Sequence, residues 1–363
     1  MASGAVSPSF KYMKLLTSRA TTNSGTYSLV DESLAKIRLI STNLNYDVFT
    51  KASFIVTPSG LYTSKLLATF PTTGDMTFTR STTATYISST GSVVSSAINT
   101  PRIDYTYGRG AFLIEGQRQN LWLNSAVGVT QTITATPAVK IISFWGTGTI
   151  ATPYGNFTGT SNNVRSEFVF TPTVGTNTYT VTGNCLNVQL ENGAFSSSYI
   201  PTTTTSLTRG VETASLTSVS SLIGQTEGTL YIEYYHRNNA TAMRALTIND
   251  GTTNNYIAIS PQINNKTRFA LILSGLQIFG IDSSIAPTTG WHKFAARYKS
   301  GDINFYIDGV SVGTSALTFT TPLSMSRIDL GNAVGSSQLY SGISCAMIFP
   351  TALTDVELQK ITT

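Results

Sequence analysis

One stretch organises the rest of the chain, and it reads Gln189-Leu190-Glu191-Asn192-Gly193-Ala194-Phe195-Ser196-Ser197-Ser198-Tyr199-Ile200-Pro201-Thr202. A short apolar strand leads into a glycine turn, then an aromatic pair, then a proline that opens a threonine run. Short strand-like segments separated by Thr and Gly precede it, and longer strands with hairpin turns follow it. The stretch therefore predicts a boundary between two β modules. We expect it to form an ordered strap with Phe195, Tyr199 and Ile200 buried against one module.

The composition favours many short strands joined by tight turns. A chain of 363 residues is too long for one ordinary core and suggests roughly two to three domains. Charged residues make up 11%, against about 25% in an average soluble domain, whereas 41% of the residues are hydrophobic. Thr, Ser, Asn and Gly fill the difference, which argues against both a helical enzyme and a disordered chain.

The net charge of +5 is concentrated in the first part of the chain. Residues 1–65 carry seven basic and three acidic side chains, which leaves only +1 for all the residues that follow. Such a segment predicts docking on an acidic partner surface, although scatter in a charge-poor chain explains the asymmetry equally well. Because no run of Lys and Arg is interleaved with aromatic residues, we expect no nucleic-acid partner.

The sequence shows neither the pattern of an export signal nor that of a membrane span. The first 14 residues show no basic region followed by an apolar core and a cleavage site, and no stretch approaches the ~18 apolar residues of a membrane span. A composition that looks extracellular without an export signal predicts a protein that leaves the cell as part of a particle. Cys185 and Cys345 lie in different predicted modules, so we expect two small buried thiols and no disulfide.

Strand patterns divide the chain further. Residues 126–200 contain candidate strands at 140–145, 165–170, 178–181 and 186–190, which together predict a small antiparallel sandwich. Residues 1–75 are less regular, with a helix predicted near 29–40 and a strand at 52–57. A mixed, basic segment at one end of a β-rich chain predicts an attachment region.

The part after residue 211 carries the clearest signals. Residues 228–236 alternate, which predicts one strand face with Leu230, Ile232 and Tyr234 and another with Tyr231, Glu233 and Tyr235. Asp308-Gly309 predicts a hairpin turn between alternating runs. Near the end, Thr354 and Glu357 form a capping box, so we expect a short helix that packs Leu358 and Ile361 on the sandwich.

Four phrases follow one another in a fixed order: Phe78-Thr79-Arg80-Ser81-Thr82-Thr83-Ala84-Thr85-Tyr86, Pro101-Arg102-Ile103-Asp104-Tyr105, Leu113-Ile114-Glu115-Gly116-Gln117-Arg118-Gln119-Asn120-Leu121, and Gln189-Leu190-Glu191-Asn192-Gly193 with Ser198-Tyr199-Ile200-Pro201-Thr202 and Thr208-Arg209. This order resembles a modular family of tail-fibre and minor structural proteins of tailed bacteriophages, over about residues 58–363. The chain departs from the usual phrase at Gly116 and Gln119. From Glu227-Gly228-Thr229-Leu230 to Thr354-Asp355-Val356-Glu357-Leu358, it looks like a concanavalin A-like (laminin G-type) jelly roll.

The resemblance and the patterns together imply a mainly β fold with two antiparallel β-sandwich modules, a small sandwich and then a jelly roll, after an irregular mixed N-terminal segment. We divide the chain into a virion-attachment segment at 1–75, a connecting β region at 76–125, the small sandwich with its strap at 126–210 and the jelly roll at 211–363. Fibre-like proteins of this kind are commonly trimers, so the resemblance also implies a homotrimer.

Few side chains could carry out catalysis. His236 and His292 each lie in a predicted strand, with no His, Cys or carboxylate at metal-ligand spacing. Gly342-Ile343-Ser344-Cys345-Ala346 lacks the second glycine of a nucleophile elbow. Glu227 and Glu233 share one strand face, but six residues of about 3.3 Å separate them by ~20 Å, beyond the ~5–9.5 Å that glycosidases use. We expect no catalytic residues, while a carboxylate pair formed across strands stays open.

Binding sites are harder to assign. Asn249-Asp250-Gly251 and Asp329-Leu330-Gly331-Asn332 offer oxygens that suit calcium, but both are ordinary turn sequences, so we expect no metal ion or other cofactor. Trp291 heads an alternating strand and is expected in the core rather than against a sugar. The glycan-binding residues stay unassigned among the aromatic residues outside the core phase, which are Tyr231, Tyr235, Tyr256 and Tyr340.

Three functions follow from these patterns. The favoured one is a non-enzymatic virion protein, a tail or head fibre, whose jelly roll binds a host-surface glycan while the N-terminal segment contacts other virion proteins. The second is a purely structural decoration or fibre subunit without receptor binding. The third is a polysaccharide depolymerase.

Overall fold

The computed structural model describes residue 48 and residues 51–58, 60–63, 67–68, 76–237 and 242–363. Most of the predicted attachment segment, including the helix predicted near 29–40, lies outside the described residues. The prediction of a mainly β fold with antiparallel sandwiches is confirmed.

The strands that precede the small sandwich are short. They are β1 (Phe54–Thr57), β2 (Gly60–Thr63), β3 (Leu67–Ala68), β4 (Thr77–Thr79), β5 (Ala84–Ile87), β6 (Val93–Ser96), β7 (Ile103–Asp104) and β8 (Ala111–Ile114). Those of the small sandwich and its strap are β9 (Arg118–Asn120), β10 (Gln131–Ala135), β11 (Lys140–Gly146), β12 (Thr149–Thr152), β13 (Gly155–Thr158), β14 (Ser161–Phe170), β15 (Gly175–Thr182), β16 (Cys185–Asn192) and β17 (Leu207–Arg209).

Longer strands build the jelly roll. They are β18 (Thr213–Thr217), β19 (Glu227–His236), β20 (Leu246–Asn249), β21 (Tyr256–Pro261), β22 (Thr267–Leu273), β23 (Leu276–Asp282), β24 (Gly290–Lys299), β25 (Ile303–Ile307), β26 (Val310–Ser315), β27 (Arg327–Leu330) and β28 (Ser341–Phe349). A 3-10 turn covers Ser220–Leu222, and the helix α1 covers Asp355–Thr362 near the end of the chain.

Two antiparallel sheets face each other in the jelly roll. The larger sheet has the order β26-β25-β24-β19-β28-β1-β2-β3, and the smaller one has the order β23-β22-β21-β20-β27-β18-β4. The predicted alternation of β19 is confirmed, because Leu230, Ile232 and Tyr234 enter the main core whereas Tyr231 joins a separate cluster on the outer face of the larger sheet. Packing this apolar surface between the sheets is the main source of stability.

Strands from the first part of the chain complete both sheets. Strand β1 pairs with β28 so that Phe54 lies opposite Ile348, while β8 pairs with another part of β28. In the smaller sheet, β4 pairs with β18. These strands fall in the segments predicted as attachment and connecting regions. The segment boundaries themselves stay a prediction, but the jelly roll draws on residues well before 211.

Helix α1 covers part of the outer face of the larger sheet. Thr354 accepts a hydrogen bond from the Glu357 amide while Glu357 accepts one from the Thr354 amide, so the predicted capping box is confirmed. Leu358 and Ile361 are buried against Tyr231 and Met347, as the sequence predicted. The helix therefore shields the aromatic and apolar side chains that β19 and β28 direct away from the main core.

The small sandwich packs a four-stranded sheet, with the order β10-β15-β12-β13, against a three-stranded one, with the order β14-β11-β16. Its core is rich in aromatic side chains, including Phe144, Phe157, Phe170 and Tyr179. The four predicted strands correspond to β11, β14, β15 and β16. The predicted strand at 165–170 is the second half of a longer one, since β14 begins at Ser161.

The strap between the modules contacts both of them. Phe195, Tyr199 and Ile200 are buried, as predicted. Tyr199 donates to or accepts from the Ser125 hydroxyl at 2.6 Å and packs edge-on against Trp145, whereas Phe195 packs edge-on against Tyr340 of the jelly roll. The prediction that all three pack on one module is wrong, because the strap runs between the two and places aromatic side chains on either side.

A buried ion network fixes this seam, and we call its members Arg80, Arg102, Glu115, Arg209 and Glu212 the seam network. Glu115 lies 2.8 Å from Arg102 and 2.7 Å from Arg209, and Glu212 lies 2.5 Å from Arg102 and 2.7 Å from Arg80. Burial alone raises the pKa of the Glu115 carboxyl, but the two guanidiniums lower it to about 2. The Glu115 carboxyl therefore stays ionised at neutral pH.

The seam network also ties the strap to the strands around it. The Ser198 amide donates to Glu115 at 2.9 Å, and the Ser198 hydroxyl donates to the same carboxylate at 2.6 Å. Arg209 donates to the Gly116 carbonyl oxygen at 2.5 Å. Because each carboxylate accepts several hydrogen bonds, the two negative charges are satisfied despite their burial. The two modules and the strap are therefore held in a fixed relation.

Candidate functional site

A cleft of about 400 Å³ opens at the seam. Its walls come from the β5–β6 hairpin, the loop after β7, strand β14, the strap and the residue that follows β19. Its lining includes Tyr107, Trp145, Arg165, Glu167, Tyr199 and Arg237. The cleft therefore combines aromatic rings with charged groups from both modules, a combination typical of ligand sites between domains.

Arg165 lies beside the indole of Trp145 on one wall of the cleft. The two residues are opposite each other in the β11–β14 ladder, and the Arg165 guanidinium lies 4.9 Å from the Trp145 ring centroid. Arg165 donates to the Ser197 carbonyl oxygen at 2.6 Å and to the Ser143 hydroxyl at 2.7 Å. Burial lowers the pKa of Arg165, and the negative charges of Glu167, Glu191 and Glu115 offset this only in part.

Arg237 enters the cleft from the jelly roll. It donates to the Tyr107 hydroxyl oxygen at 3.1 Å and to the Ser196 carbonyl oxygen at 3.3 Å. Its nearest carboxylate oxygen, on Glu167, is 3.8 Å away. Burial raises the pKa of the Tyr107 phenol to about 12, so the hydroxyl keeps its proton and can donate to a ligand.

The carboxylates of the cleft wall already accept hydrogen bonds from the protein. Asp104 accepts from the Ile87 amide at 2.7 Å and from the Thr106 amide at 2.8 Å, and burial raises its pKa. Glu167 accepts from the Ser196 hydroxyl and keeps a side-chain exposure of 38%. Glu167 is therefore the cleft carboxylate with the most freedom to contact a ligand.

An aromatic cluster adjoins the cleft on the outer face of the larger sheet. Tyr107 stacks on Tyr235 with ring centroids 4.0 Å apart, and Trp291 meets both rings edge-on and donates to the Tyr107 carbonyl oxygen at 3.0 Å. The Arg109 guanidinium lies 3.6 Å from the Trp291 ring centroid and forms an ion pair with Glu233 at 2.6 Å. The prediction that Trp291 lies in the core is wrong, because its ladder partner Tyr235 points outward.

The other aromatic candidates have different surroundings. Tyr231 is fully buried under helix α1, so its prediction as a sugar platform is wrong. Tyr340 packs against Phe195 at the seam, and Tyr256 accepts a hydrogen bond from Arg244 at 3.0 Å on the smaller sheet. Of the four candidates, Tyr235 is the one that lies in the cluster beside the cleft.

Sequence reasoning missed the cleft residues themselves. Trp145 and Arg165 belong to the small module, for which the sequence predicted no binding site, and Arg237 follows directly after strand β19 of the jelly roll. One sequence signal could have pointed to the cleft. Trp145 and Arg165 are an aromatic and a basic residue in two neighbouring predicted strands. Their approach to Arg237 depends on how the modules pack, which the local pattern does not encode.

The two histidines are placed apart from the cleft. His236 is buried, its Nδ1 lies 3.3 Å from the Tyr234 hydroxyl, and burial lowers its pKa to about 4. His292 forms an ion pair with Asp308, which raises the pKa of the imidazole. Ser344 lies within strand β28 rather than on a sharp turn, so the surroundings of a nucleophile elbow are missing there.

The acidic residues considered for glycosidase or calcium chemistry are engaged elsewhere. Glu227 forms an ion pair with Lys299 at 3.1 Å. Asp250 accepts hydrogen bonds from Thr252 and Asn255 within its own turn, and Asp329 is buried against Asn249. Over the described part of the chain, no group of three or more His, Cys, Asp or Glu side chains could hold a metal ion. Its helices also include none that is long and apolar enough to cross a bilayer.

A match to a known protein family supports the fold of the second module. Residues 209–359 match the family described as the concanavalin A-like lectin/glucanases superfamily. Similar solved structures include the CBM40 of a Ruminococcus gnavus IT-sialidase, with 16% identity, a TM-score of 0.35 and coverage of 40% of this chain and 86% of that one. The NanB sialidase of Streptococcus pneumoniae has 14% identity and a TM-score of 0.34, over 40% of this chain and 26% of that one.

The binding domain of botulinum neurotoxin serotype D/C is similar at 15% identity and a TM-score of 0.34, over 41% of this chain and 40% of that one. A search of the curated proteins gives no match. The family match covers the strands from β18 to β28, and β1, β4, β7 and β8 extend the same two sheets. Residues 209–359 therefore form a concanavalin A-like domain of the laminin G type.

Proposed function

We propose that this chain is a non-enzymatic adhesin of a bacteriophage particle and that it binds a host-surface glycan in the cleft at the seam. The observation that supports this most is the cleft itself, where Trp145 and Tyr107 provide aromatic rings beside the hydrogen-bonding groups of Arg165, Glu167 and Arg237. Sugars are bound in this way, with an apolar ring face on an aromatic side chain and hydroxyls on polar groups. The adjoining domain belongs to a superfamily of lectins and glucanases.

The binding mechanism we propose is multivalent adhesion. The cleft has a volume of only about 400 Å³, so we expect a single site to take a short piece of glycan and to bind it weakly. Several copies on one particle would raise the effective concentration of the glycan at each site and multiply the affinity without new contacts. The proposed trimer and the particle location draw on the order of the phrases and on the basic first 65 residues, whose acidic partner would be another virion protein.

The proposal is tested by filling the cleft without removing any of its contacts. Asn163 is exposed and lines the cleft, so an Asn163→Trp substitution should block sugar entry and leave the core intact. We expect at least a tenfold loss of binding of the full chain to surface polysaccharide of the host cell. The matched control is Thr180→Trp, which adds the same bulk at an exposed position of β15 on the opposite sheet of the small sandwich.

Two results would count against the proposal. Equal binding by both variants would place the sugar outside the cleft. A shortening of the polysaccharide chains during incubation with the purified protein would contradict the non-enzymatic part and favour a depolymerase.

A further inference from the structure

The guanidinium groups of the cleft differ from the most buried ones elsewhere in the described chain. The most deeply buried arginines of the described residues, namely Arg80, Arg102, Arg209 and Arg297, each have a carboxylate oxygen within 2.8 Å. Within the described residues, Arg165 forms no ion pair, and the nearest carboxylate oxygen to Arg237 is 3.8 Å away. Both line the same cleft.

Of the two arginines, Arg165 has the charge that its hydrogen-bond partners compensate less. Its Nη atoms donate to neutral oxygens of Ser197 and Ser143, and its Nε is buried with no hydrogen-bond partner. A buried cation costs free energy unless a counter-charge compensates it, and hydrogen bonds to an ionised acceptor are roughly twice as strong as those to a neutral one. Glu167, Glu191 and Glu115 raise the pKa of Arg165 from a distance, but no described carboxylate pairs with it directly, so an anion in the cleft would supply that contact.

The acidic groups around the cleft limit what this anion can be. Asp104 accepts from two backbone amides, Glu191 accepts from the Ser197 amide and hydroxyl, and Glu115 belongs to the seam network. Glu167, by contrast, is 38% exposed and faces Arg237. Its negative charge would disfavour a doubly charged ligand, so a singly charged group fits the balance of charges better.

We propose that the cleft selects a glycan that carries a carboxylate, with Arg165 and Arg237 as the residues that determine this specificity. The planar fork of a guanidinium matches a carboxylate through two parallel hydrogen bonds, and the adjacent rings of Trp145 and Tyr107 would hold the sugar that bears it. This inference rests on the proposed function, since it names the class of sugar for the same site.

The experiment compares each acidic sugar with a neutral partner of the same shape. We would measure binding of the full chain to trigalacturonic acid and its methyl ester, and to sialyllactose and lactose, by titration calorimetry. At least one acidic member should bind tenfold or more tightly than its neutral counterpart, and the difference should shrink as salt is raised. The two pairs distinguish a hexuronic acid from a sialic acid as the source of the carboxylate.

Variants assign the preference to the cleft. Arg165→Gln and Arg237→Gln should each reduce the acid-to-neutral ratio at least fivefold, and thermal unfolding would confirm that both variants fold. The matched control is Arg244→Gln, because Arg244 is also half-buried, also forms no ion pair among the described residues, and contacts Tyr256 outside the cleft.

Different results would contradict the carboxylate preference and the proposed function. If the acidic and neutral sugars bind equally and Asn163→Trp abolishes both, the glycan site stands and the carboxylate preference is wrong. The preference is also wrong if it survives in both arginine variants. If neither these sugars nor the host polysaccharide binds, the proposed function fails together with the inference.

Discussion

Glu212 contacts two of the three buried guanidiniums of the seam network. Its carboxylate contacts Arg80 at 2.7 Å and Arg102 at 2.5 Å, and it also accepts from the Glu115 amide at 2.9 Å. A Glu212→Gln variant would leave these two buried guanidiniums short of one negative charge. We expect the free energy of unfolding to fall by about 3–5 kcal/mol, the usual cost of breaking a buried ion pair from one side. Urea unfolding of the full chain measures it.

The control for this prediction is an exposed ion pair of similar length. Arg268 and Asp282 lie 2.7 Å apart with side-chain exposures of 36% and 32%. Asp282→Asn should cost only about 0–1 kcal/mol, because water screens the pair. A loss for Glu212→Gln no larger than that of Asp282→Asn would mean that the seam network contributes little to stability.

Because of His236, we expect the free energy of unfolding to fall as the pH is lowered. Burial lowers its pKa from 6.5 to about 4, so the unfolded chain binds a proton there that the folded chain does not. Its contribution to the free energy of unfolding is therefore fully present above pH 6.5 and is lost as the pH falls from 6.5 towards 4. The total change is about 3 kcal/mol. A His236→Gln variant should lose less stability than the parent protein over this range.

His292 serves as the control for that experiment, because its shift has the opposite sign. The hydrogen bond to Asp308 raises its pKa, so it stabilises the folded state at low pH and this contribution is lost as the pH rises. His292→Gln should therefore make acid destabilisation steeper. Parallel pH profiles for His236→Gln and the parent protein would show that the His236 imidazole is not shielded from water.

Gly116 leaves room for a large side chain that is distant in the sequence. A Cβ at this position would overlap the ring of Tyr340. The Tyr340 hydroxyl lies above this backbone and within 3.4 Å of the Gln117 carbonyl oxygen. Gly116 therefore leaves the space that a tyrosine of the jelly roll fills.

A substitution in strand β1 tests whether the jelly roll extends beyond residues 209–359, which match the family. Phe54 is fully buried in the main core and lies opposite Ile348 of β28. Phe54→Ala should lower the free energy of unfolding by about 3–5 kcal/mol, the usual cost of deleting a buried phenyl ring. Denaturant unfolding followed by tryptophan fluorescence measures the change.

Leu276 provides the comparison, since it is 69% exposed at the edge of the smaller sheet. Leu276→Ala should change stability by no more than about 0.5 kcal/mol. If Phe54→Ala is equally mild, β1 is not part of the structural core and the jelly roll is confined to the later residues.

Local patterns predicted some elements well because their causes are local. The alternation of β19 and the capping box before α1 depend on neighbouring residues, and both are present as expected. Trp291 was misplaced because strand phase alone does not say which face of a strand is covered. The pairing of β1 with β28 joins residues about 290 positions apart, and no local pattern encodes such a contact.

At the scale of the whole molecule, the recognisable phrases meet in one place. Arg80, Arg102, Glu115 and Arg209 come from four separate phrases, and the fold brings them together with Glu212 at the seam. The sequence suggested these phrases as signs of a family, but their physical role depends on how the modules pack. The same packing creates the cleft, since its walls come from both modules and the strap. A fixed seam is therefore a condition for a preformed binding site.

The most direct test of this account is a structure of the full chain determined with its host-surface oligosaccharide bound. We predict sugar density in the cleft at the seam, with a pyranose ring against Trp145 and polar contacts to Arg165 and Arg237. Density confined to the jelly roll beyond residue 242, with the cleft empty at saturating oligosaccharide, would contradict it.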